Sequence, residues 1–301
     1  MNPYLTYHSS LITQLANSFM SKNDLLIERY RAVKQQGNWR SWPLLRQLRT
    51  LRFRRLTPLD GGKKNGLSVI RYYWADFLAK HQADIRGHAL EIGETTTIRQ
   101  FGGAALTQAD AVDLAAHSPD VRIVADLSRA DHVPGDVYDC FVNQFTTCVI
   151  YDIDAFVYHS LRLLKPGGVL LINFWCVDFY LHRGLDMGTG APLYMYHWFT
   201  PIQVENLFRR FGLTEADFRV EVYGNLLTRQ AFLLNLPARE FTAQELNYAD
   251  PGQPLLICVR AVKPANWQVE KPVYRDPLWT PDSKPAELRP DTGHYGDEYQ
   301  K

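Results

Sequence analysis

The sequence predicts an α/β protein built on a doubly wound, mostly parallel sheet, and three observations carry that prediction. From residue 88 onward, short apolar runs alternate with stretches whose apolar residues recur at helical spacing. The first run, "HALEIG" at 88–93, passes from apolar residues directly into an acid and a glycine. The clearest helical stretch, "DIDAFVYHSLRLL" at 152–164, has apolar residues at 153, 156, 157, 160/161 and 164 and stops at "KPGG". Strands joined by helices need crossover connections, and these produce parallel sheets with helices on both faces.

Taken in order, residues 9–56 show helical spacing broken by "GNWRSWP" at 37–43, and predict an N-terminal helical extension, 1–66. Its second half, "LLRQLRTLRFRRL", holds five arginines within 44–56. Either it is a solvated helix face or homo-oligomer contact, or it is a site for a phosphate or anionic lipid head group. "TPLDGGKKNG" at 57–66 is turn-rich. "LSVIRYYWADFLAKHQADI" then reads as an amphipathic helix leading to the strand at 88. Further strands are expected at about 109–113, 121–125, 138–143 and 168–174. At "KPGG", Lys165 suits the negative end of the preceding helix, and Pro166 with the glycines forces the turn. Residues 175–199, "WCVDFYLHRGLDMGTGAPLYMYHWF", are aromatic and irregular, and read as an insertion covering a site. "TPIQVENLFRRFG" opens with a Thr cap and Pro at the first helical position. Strands at 218–225 and 254–263 complete a domain spanning 67–264, and a polar, Pro-rich tail occupies 265–301, wrapped on the surface or loosely ordered.

Composition narrows the classes of function. A net charge of +1 over 301 residues gives no general attraction for nucleic acid or an anionic membrane. Cys140, Cys148, Cys176 and Cys258 form no CxxC pair, and three of them lie in apolar runs, as expected of free thiols in a reducing compartment. No secretory signal pattern opens the chain and no segment approaches 18 consecutive apolar residues, so a cytoplasmic protein is expected. No metal site is expected.

Ligands of open parallel sheets lie beyond the carboxyl ends of the strands, near the point where strand order reverses. Glu91, Gly93 and Glu94 occupy that place on the first strand, and Gly93 permits close approach of the backbone. Asp113, followed by Leu114, ends the second strand 20 residues later, the spacing at which a carboxylate reaches ribose hydroxyls. Asp126 and Leu127 end the third strand, where Asp126 is placed to accept from an adenine amino group; Asn143 and Gln144 end the fourth. Asp113 and Asp126 have a plainer reading as helix caps. A dinucleotide would need two further glycines to admit its pyrophosphate, and "GETTTI" lacks both. S-adenosylmethionine has a ribose and an adenine but no phosphate, so the missing glycines favour it over NAD.

The segments "DIRGHALEIGETTTIRQFGG", "VADL", "VYDCFVNQFTTCVIYDIDAFVYHSLRLLKPGGVLLINF" and "YGNLLTRQAFLLNLPAREFTAQELNYADPGQPLLICVRAVKP" resemble class I S-adenosylmethionine-dependent methyltransferases. The nearest group is the small bacterial methyltransferases found with glycosyltransferases in glycan and secondary-metabolite pathways. The resemblance spans about residues 68–264 and implies a Rossmann-like seven-stranded sheet whose last strand, 254–263, is antiparallel. It implies that Glu91 and Gly93 face the methionine end of the cofactor, that Asp113 holds the ribose, and that Asp126 and Leu127 hold the adenine. Asn143 and Gln144 would form the floor near the methyl group, and the pair Tyr72 and Tyr73 would close over it. The chain departs from the pattern at Cys148, where relatives often have His, at Ile70, where they often have an acid, and at "HWFT", where they often have "WRFT".

The insertion at 175–199 is the expected acceptor lid, and His197, His182 and Asp178 within it are candidate bases for removing an acceptor proton. Each has the alternative of a surface or packing role, and alignment of the reactants alone supplies much of such a rate. His159 reads as a packing or surface residue, and Cys148 as a small core residue. The function these features predict is methyl transfer from S-adenosylmethionine to a small molecule, at a hydroxyl of a sugar or glycosylated metabolite. A non-catalytic binding or assembly subunit on the same fold is the alternative.

Overall fold

A computed structural model describes residues 66–178 and 195–274, Pro58, and the backbone of three two-residue strands at 185–186, 192–193 and 287–288. The expected N-terminal helices with their arginines, His182, and the aromatic residues Phe179, Tyr180 and Tyr194 of the insertion lie outside the described residues. Pro58 aside, the described residues belong to one unit, Leu59–Lys301.

Helix α1 (Val69–Lys80) leads through a short 3-10 turn to β1 (Gly87–Ile92). There follow α2 (Thr96–Gly102), β2 (Leu106–Asp113), β3 (Val121–Val124), β4 (Tyr138–Asn143), α3 (Ile153–Leu163) and β5 (Leu164–Trp175). A two-stranded ribbon, β6 (Leu185–Asp186) with β7 (Pro192–Leu193), interrupts the alternation. Then come α4 (Pro201–Arg210), β8 (Phe218–Tyr223), α5 (Leu226–Leu233), α6 (Ala243–Asn247), β9 (Leu256–Val262) and β10 (Glu287–Leu288).

The main sheet runs β10-β3-β2-β1-β4-β5-β9-β8. Its first five strands in sequence are parallel neighbours, and β9 is antiparallel to both β5 and β8. Without the short edge strand β10, this is the seven-stranded Rossmann-like sheet with the last strand antiparallel that the resemblance implies. The edge strand was not expected from sequence: β10 pairs antiparallel with Val124 and Ile123 of β3, so part of the tail joins the sheet.

The helices cover both faces because their apolar residues fall on one side. In α1, Val69, Ile70, Tyr73, Trp74, Phe77 and Leu78 are buried, a repeat of four residues that faces the β1–β4–β5–β9 side holding Ala89, Val142 and Leu171. Phe156, Val157 and Leu161 of α3, with Val204, Leu207 and Phe208 of α4, pack on the opposite face against Phe141, Ile172 and Phe174. A fully buried side chain such as Phe77 or Phe156 contributes about 1.5–3 kcal/mol by leaving water. Thr200 caps α4 as its sequence predicts, and Gln203 returns the bond to complete a capping box.

One local expectation is corrected, and of the two readings of the tail one holds as far as Tyr274. Lys165 does not serve the end of α3. It is the second residue of β5 and donates to both oxygens of Asp139 at 2.8 Å. The tail as far as Tyr274 is docked on the surface: Trp267 donates to the Phe211 carbonyl at 2.9 Å, and the Tyr274 hydroxyl meets buried His159 at 3.2 Å and bonds Asp131. Among the described residues, no helix is long and apolar enough to cross a membrane.

Candidate functional site

Strand order reverses between β1 and β4, since β2 lies on one side of β1 and β4 on the other. The carboxyl ends of β1 to β4 therefore surround the place where ligands of such sheets bind. A cleft opens there, lined among others by Asp113, Leu114, Asp126, Leu127, Thr146 and Phe156. Gly93 has φ +85°, a conformation that favours glycine, and its amide donates to the Val112 carbonyl at 2.9 Å. A side chain at Gly93 would start 3.7 Å from Asp113 Oδ2, on the side where the two strand ends meet.

Asp126 does the capping work of its plainer reading, as the N-cap of a 3-10 turn at Leu127–Arg129, whereas no helix follows Asp113 before β3. Asp113 Oδ1 accepts from the Leu114 amide at 2.5 Å, and Asp126 Oδ1 accepts from the Ser128 amide and hydroxyl at 2.8 and 2.7 Å. Each carboxylate keeps its Oδ2 for other partners, with His117 Nδ1 3.8 Å from that of Asp113. Leu114 is exposed at the mouth of the cleft and Leu127 is buried in its wall.

Glu91 lies beneath this surface and is not among the residues lining the cleft. It is 1% exposed, and its Oε2 accepts from the Ile98 amide of α2 at 2.9 Å. Its Oε1 accepts from Gln144 Nε2 at 2.7 Å, and the same nitrogen reaches Thr97 Oγ1 at 3.0 Å. Burial pushes the Glu91 carboxyl up to about 7, against hydrogen bonds from Thr97 and Ile98. Gln144 Oε1 in turn accepts from the indole of Trp74 at 2.9 Å. Helix α1, β1, α2 and the end of β4 are thus locked through one carboxylate and one amide. Glu94 is exposed, and its carboxylate accepts from the Thr96 hydroxyl at 3.2 Å.

Asn143 is fully buried, with Oδ1 accepting from Thr146 Oγ1 at 2.6 Å and Nδ2 lacking a partner among the described residues. Asn173 on β5 is in the same state: its Oδ1 accepts from the Phe145 amide at 2.9 Å and its Nδ2 has no partner among the described residues. Phe145 itself has φ +56°. A buried donor left unsatisfied costs about 1–3 kcal/mol, which marks these strand ends as places where polar groups are held ready.

Of the aromatic pair, Tyr72 is half-buried with its hydroxyl on Asn247 Oδ1 at 3.3 Å. Tyr73 does not lie over the cleft; its side chain is 2% exposed and its hydroxyl is tied to the Leu246 carbonyl at 2.7 Å. The four-residue repeat of α1 explains the exchange, because it turns Tyr73 into the core and Trp74 toward Gln144. Trp74, Thr97 and Asn173 are site residues that strand-end reasoning missed. Their side chains act across the sheet, and Trp74 and Gln144 are 70 residues apart.

The insertion returns to the sheet at Met195–Phe199. The Tyr196 amide donates to the Cys148 carbonyl at 2.7 Å, and the Phe199 amide to the Trp175 carbonyl at 2.7 Å. His197 Nε2 lies 3.0 Å from the Tyr151 carbonyl. A carbonyl only accepts, so Nε2 carries the proton and Nδ1 is the nitrogen with a lone pair. Asp178 is 84% exposed and gives its carboxylate to Arg229 at 3.1 Å, which leaves it ill suited to act as a base. Cys148 is buried and its thiol is pushed up to about 12 by burial, so it is not a nucleophile at neutral pH.

No family model and no curated protein matches the chain. Among solved structures, a possible exported protein from Bordetella parapertussis is 15% identical, with 65% of this chain and 68% of that one covered and a TM-score of 0.41. An S-adenosylmethionine-dependent methyltransferase from Mesorhizobium loti is 14% identical over 65% and 98% of the two chains, at 0.40. Haemonchus contortus phosphoethanolamine N-methyltransferase 2, in complex with S-adenosyl-L-methionine, is 16% identical over 68% and 59%, at 0.39. At such scores the likeness carries no functional argument, and function is to be read from the strand ends.

Proposed function

We propose that the chain is an S-adenosylmethionine-dependent methyltransferase that methylates a hydroxyl of a small molecule, a sugar or glycosylated metabolite. The observation that carries this reading is the meeting of Gly93, Asp113 and Asp126 at three adjacent strand ends, with Asp113 and Asp126 lining one cleft there. The residues present fit the cofactor. Asp113 would accept from the ribose hydroxyls, and Asp126 with Leu127 would hold the adenine. Gly93 leaves the backbone open beside them, and Asn143 Nδ2 offers a buried donor at the floor. Bound there, the cofactor supplies an activated methyl group on a sulfonium.

The chain's own part is to align, exclude water and hold a proton. Trp175, packed edge-on against Phe145 and Phe232, and half-exposed Trp198 give apolar surface suited to a ring-shaped acceptor. These rings would hold an acceptor hydroxyl in line with the sulfonium methyl, whose bond to sulfur would break as the methyl moves to oxygen, and His197 Nδ1 would take the hydroxyl proton while Nε2 stays anchored on the Tyr151 carbonyl.

Calorimetric titration tests the reading. S-adenosylhomocysteine is expected to bind with at least micromolar affinity and NAD not comparably; binding of NAD alone would overturn it. The engagement of Asp178 with Arg229 and the inert Cys148 favour a second reading, a non-catalytic subunit. That reading would be supported by adenosylhomocysteine binding with no methyl transfer to any hydroxyl acceptor tried.

A further inference from the structure

Arg71 stands one helical turn before Trp74 on α1 and is exposed. Its guanidinium carbon lies 5.0 Å from the centre of the Phe145 ring. Phe145 follows Gln144 directly, so Arg71 and Trp74 both reach from α1 onto the turn that closes β4. That turn is held rigidly: its left-handed Phe145 amide is fixed by Asn173 Oδ1 at 2.9 Å, and its ring is flanked edge-on by Trp74 at 6.2 Å and Trp175 at 6.0 Å. Among the described residues Arg71 makes no ion pair. A guanidinium resting on an aromatic face is pre-oriented at little entropic cost and keeps its edge donors for a planar anion. The nearby carboxylates are differently disposed: Glu91 is spent beneath the surface on Ile98 and Gln144, and Glu94 is exposed beyond Gly93.

We infer that Arg71 is a carboxylate-binding residue at the mouth of the site, pre-oriented by Phe145. This rests on the methyltransferase reading for the identity of its neighbours. Two carboxylates have the required chemistry, that of the cofactor's amino-acid half and that of an acceptor bearing an acid group. Arg–carboxylate pairs are bidentate and charge-assisted, so loss of the guanidinium should be felt strongly and selectively by ligands that carry the group.

The test uses the full chain and its Arg71→Gln variant, with a thermal melt to show that both fold. Calorimetry measures S-adenosylhomocysteine and its decarboxylated counterpart, then benzoate added to protein saturated with S-adenosylhomocysteine. If the cofactor's carboxylate is the partner, Arg71→Gln weakens S-adenosylhomocysteine tenfold or more and leaves the decarboxylated compound unchanged. If the acceptor's is, both nucleosides bind the variant as they bind the wild type, and benzoate binding is lost. Equal binding of all three probes by the two proteins overturns the inference. Should neither nucleoside bind the wild type, the cofactor reading itself fails. Benzoate binding to the ligand-free proteins then decides on Arg71 separately: loss in the variant supports it, and no difference overturns it.

Discussion

At the amino edge of the sheet, Asp110, Asp139 and Lys263 each find charged or dipolar partners within 3.2 Å, whereas at the carboxyl edge Glu91, Asn143 and Asn173 are buried at a cost. Asp110 meets His88 Nε2 and the Tyr138 hydroxyl, and Asp139 meets Lys165 and the His88 amide. Lys263 is 4% exposed and donates to Asp136 and to the carbonyls of Leu164 and Arg162. Across the sheet, the Glu91 carboxyl is pushed up to about 7, two amide nitrogens lack partners among the described residues, and Phe145 holds a positive φ. One edge spends its polar groups on holding the fold together. The other retains unmet polar capacity, which is what a ligand site requires.

The largest expected break in this symmetry is catalytic. His197→Ala should lower turnover by roughly 10²-fold or more, within the usual range for loss of a general base, while S-adenosylhomocysteine affinity stays nearly constant. Full turnover on the true acceptor would reduce His197 to part of the wall and leave alignment as the source of rate.

Lys263→Met tests the opposite edge. It keeps the aliphatic stem but strips buried carbonyls of a charged donor, at a cost of about 2–3 kcal/mol in urea unfolding. Affinity for S-adenosylhomocysteine should not change. Weakened binding at unchanged stability would erase the division between the edges.

Much of the carboxyl edge was legible in the chain, though not evenly. The strand ends Gly93, Asp113 and Asp126 could be read because each is local: an apolar run, then the residue that ends it. The helix α3 and its stop were legible for the same reason. Tyr73 was not, because "YY" does not say which tyrosine faces in; only the phase of the whole helix, set by Val69, Phe77 and their neighbours, decides that. The bond between Glu91 and Gln144 joins positions 53 apart, and no local pattern encodes it. Helix α5 escaped because its Leu-rich run carries a weak apolar period and starts from an Asn225 cap closed by Thr228, not the usual acid or Gln.

A smaller effect is expected at the cleft wall. Asp113→Ala should weaken S-adenosylhomocysteine by about 1–3 kcal/mol, since buried ribose hydroxyls would lose a charged acceptor. Stability should barely move, because the carboxylate's hydrogen bond is to its own neighbour, the Leu114 amide. Unchanged affinity in the folded variant would place the ribose acid elsewhere. Asp110, the next acid on β2, is a poor substitute, being 4% exposed and bound to His88.

The smallest effect is a slope with pH, and it separates the edges by sign. The Glu91 carboxyl rises from its ordinary 4.5 to about 7 in the fold, chiefly through burial. A raised carboxyl means that the folded state binds more protons than the unfolded chain between those two values, so stability falls as pH rises through that window and levels off above it. Between pH 6 and 8 the loss should be about 1 kcal/mol. At the amino edge, burial alone would raise Asp139, but Lys165 and the His88 amide outweigh it and hold the carboxyl below its ordinary range. Its contribution is lost only as pH falls through that lower range, so it adds no slope between pH 6 and 8. Urea unfolding of the wild type, Glu91→Gln and Asp139→Asn at both pH values makes the comparison directly. The Gln variant should lose the slope and the Asn variant should keep it. Identical slopes in all three proteins would mean that Glu91 is ionised without penalty, and that the carboxyl edge carries no stored electrostatic cost at that residue.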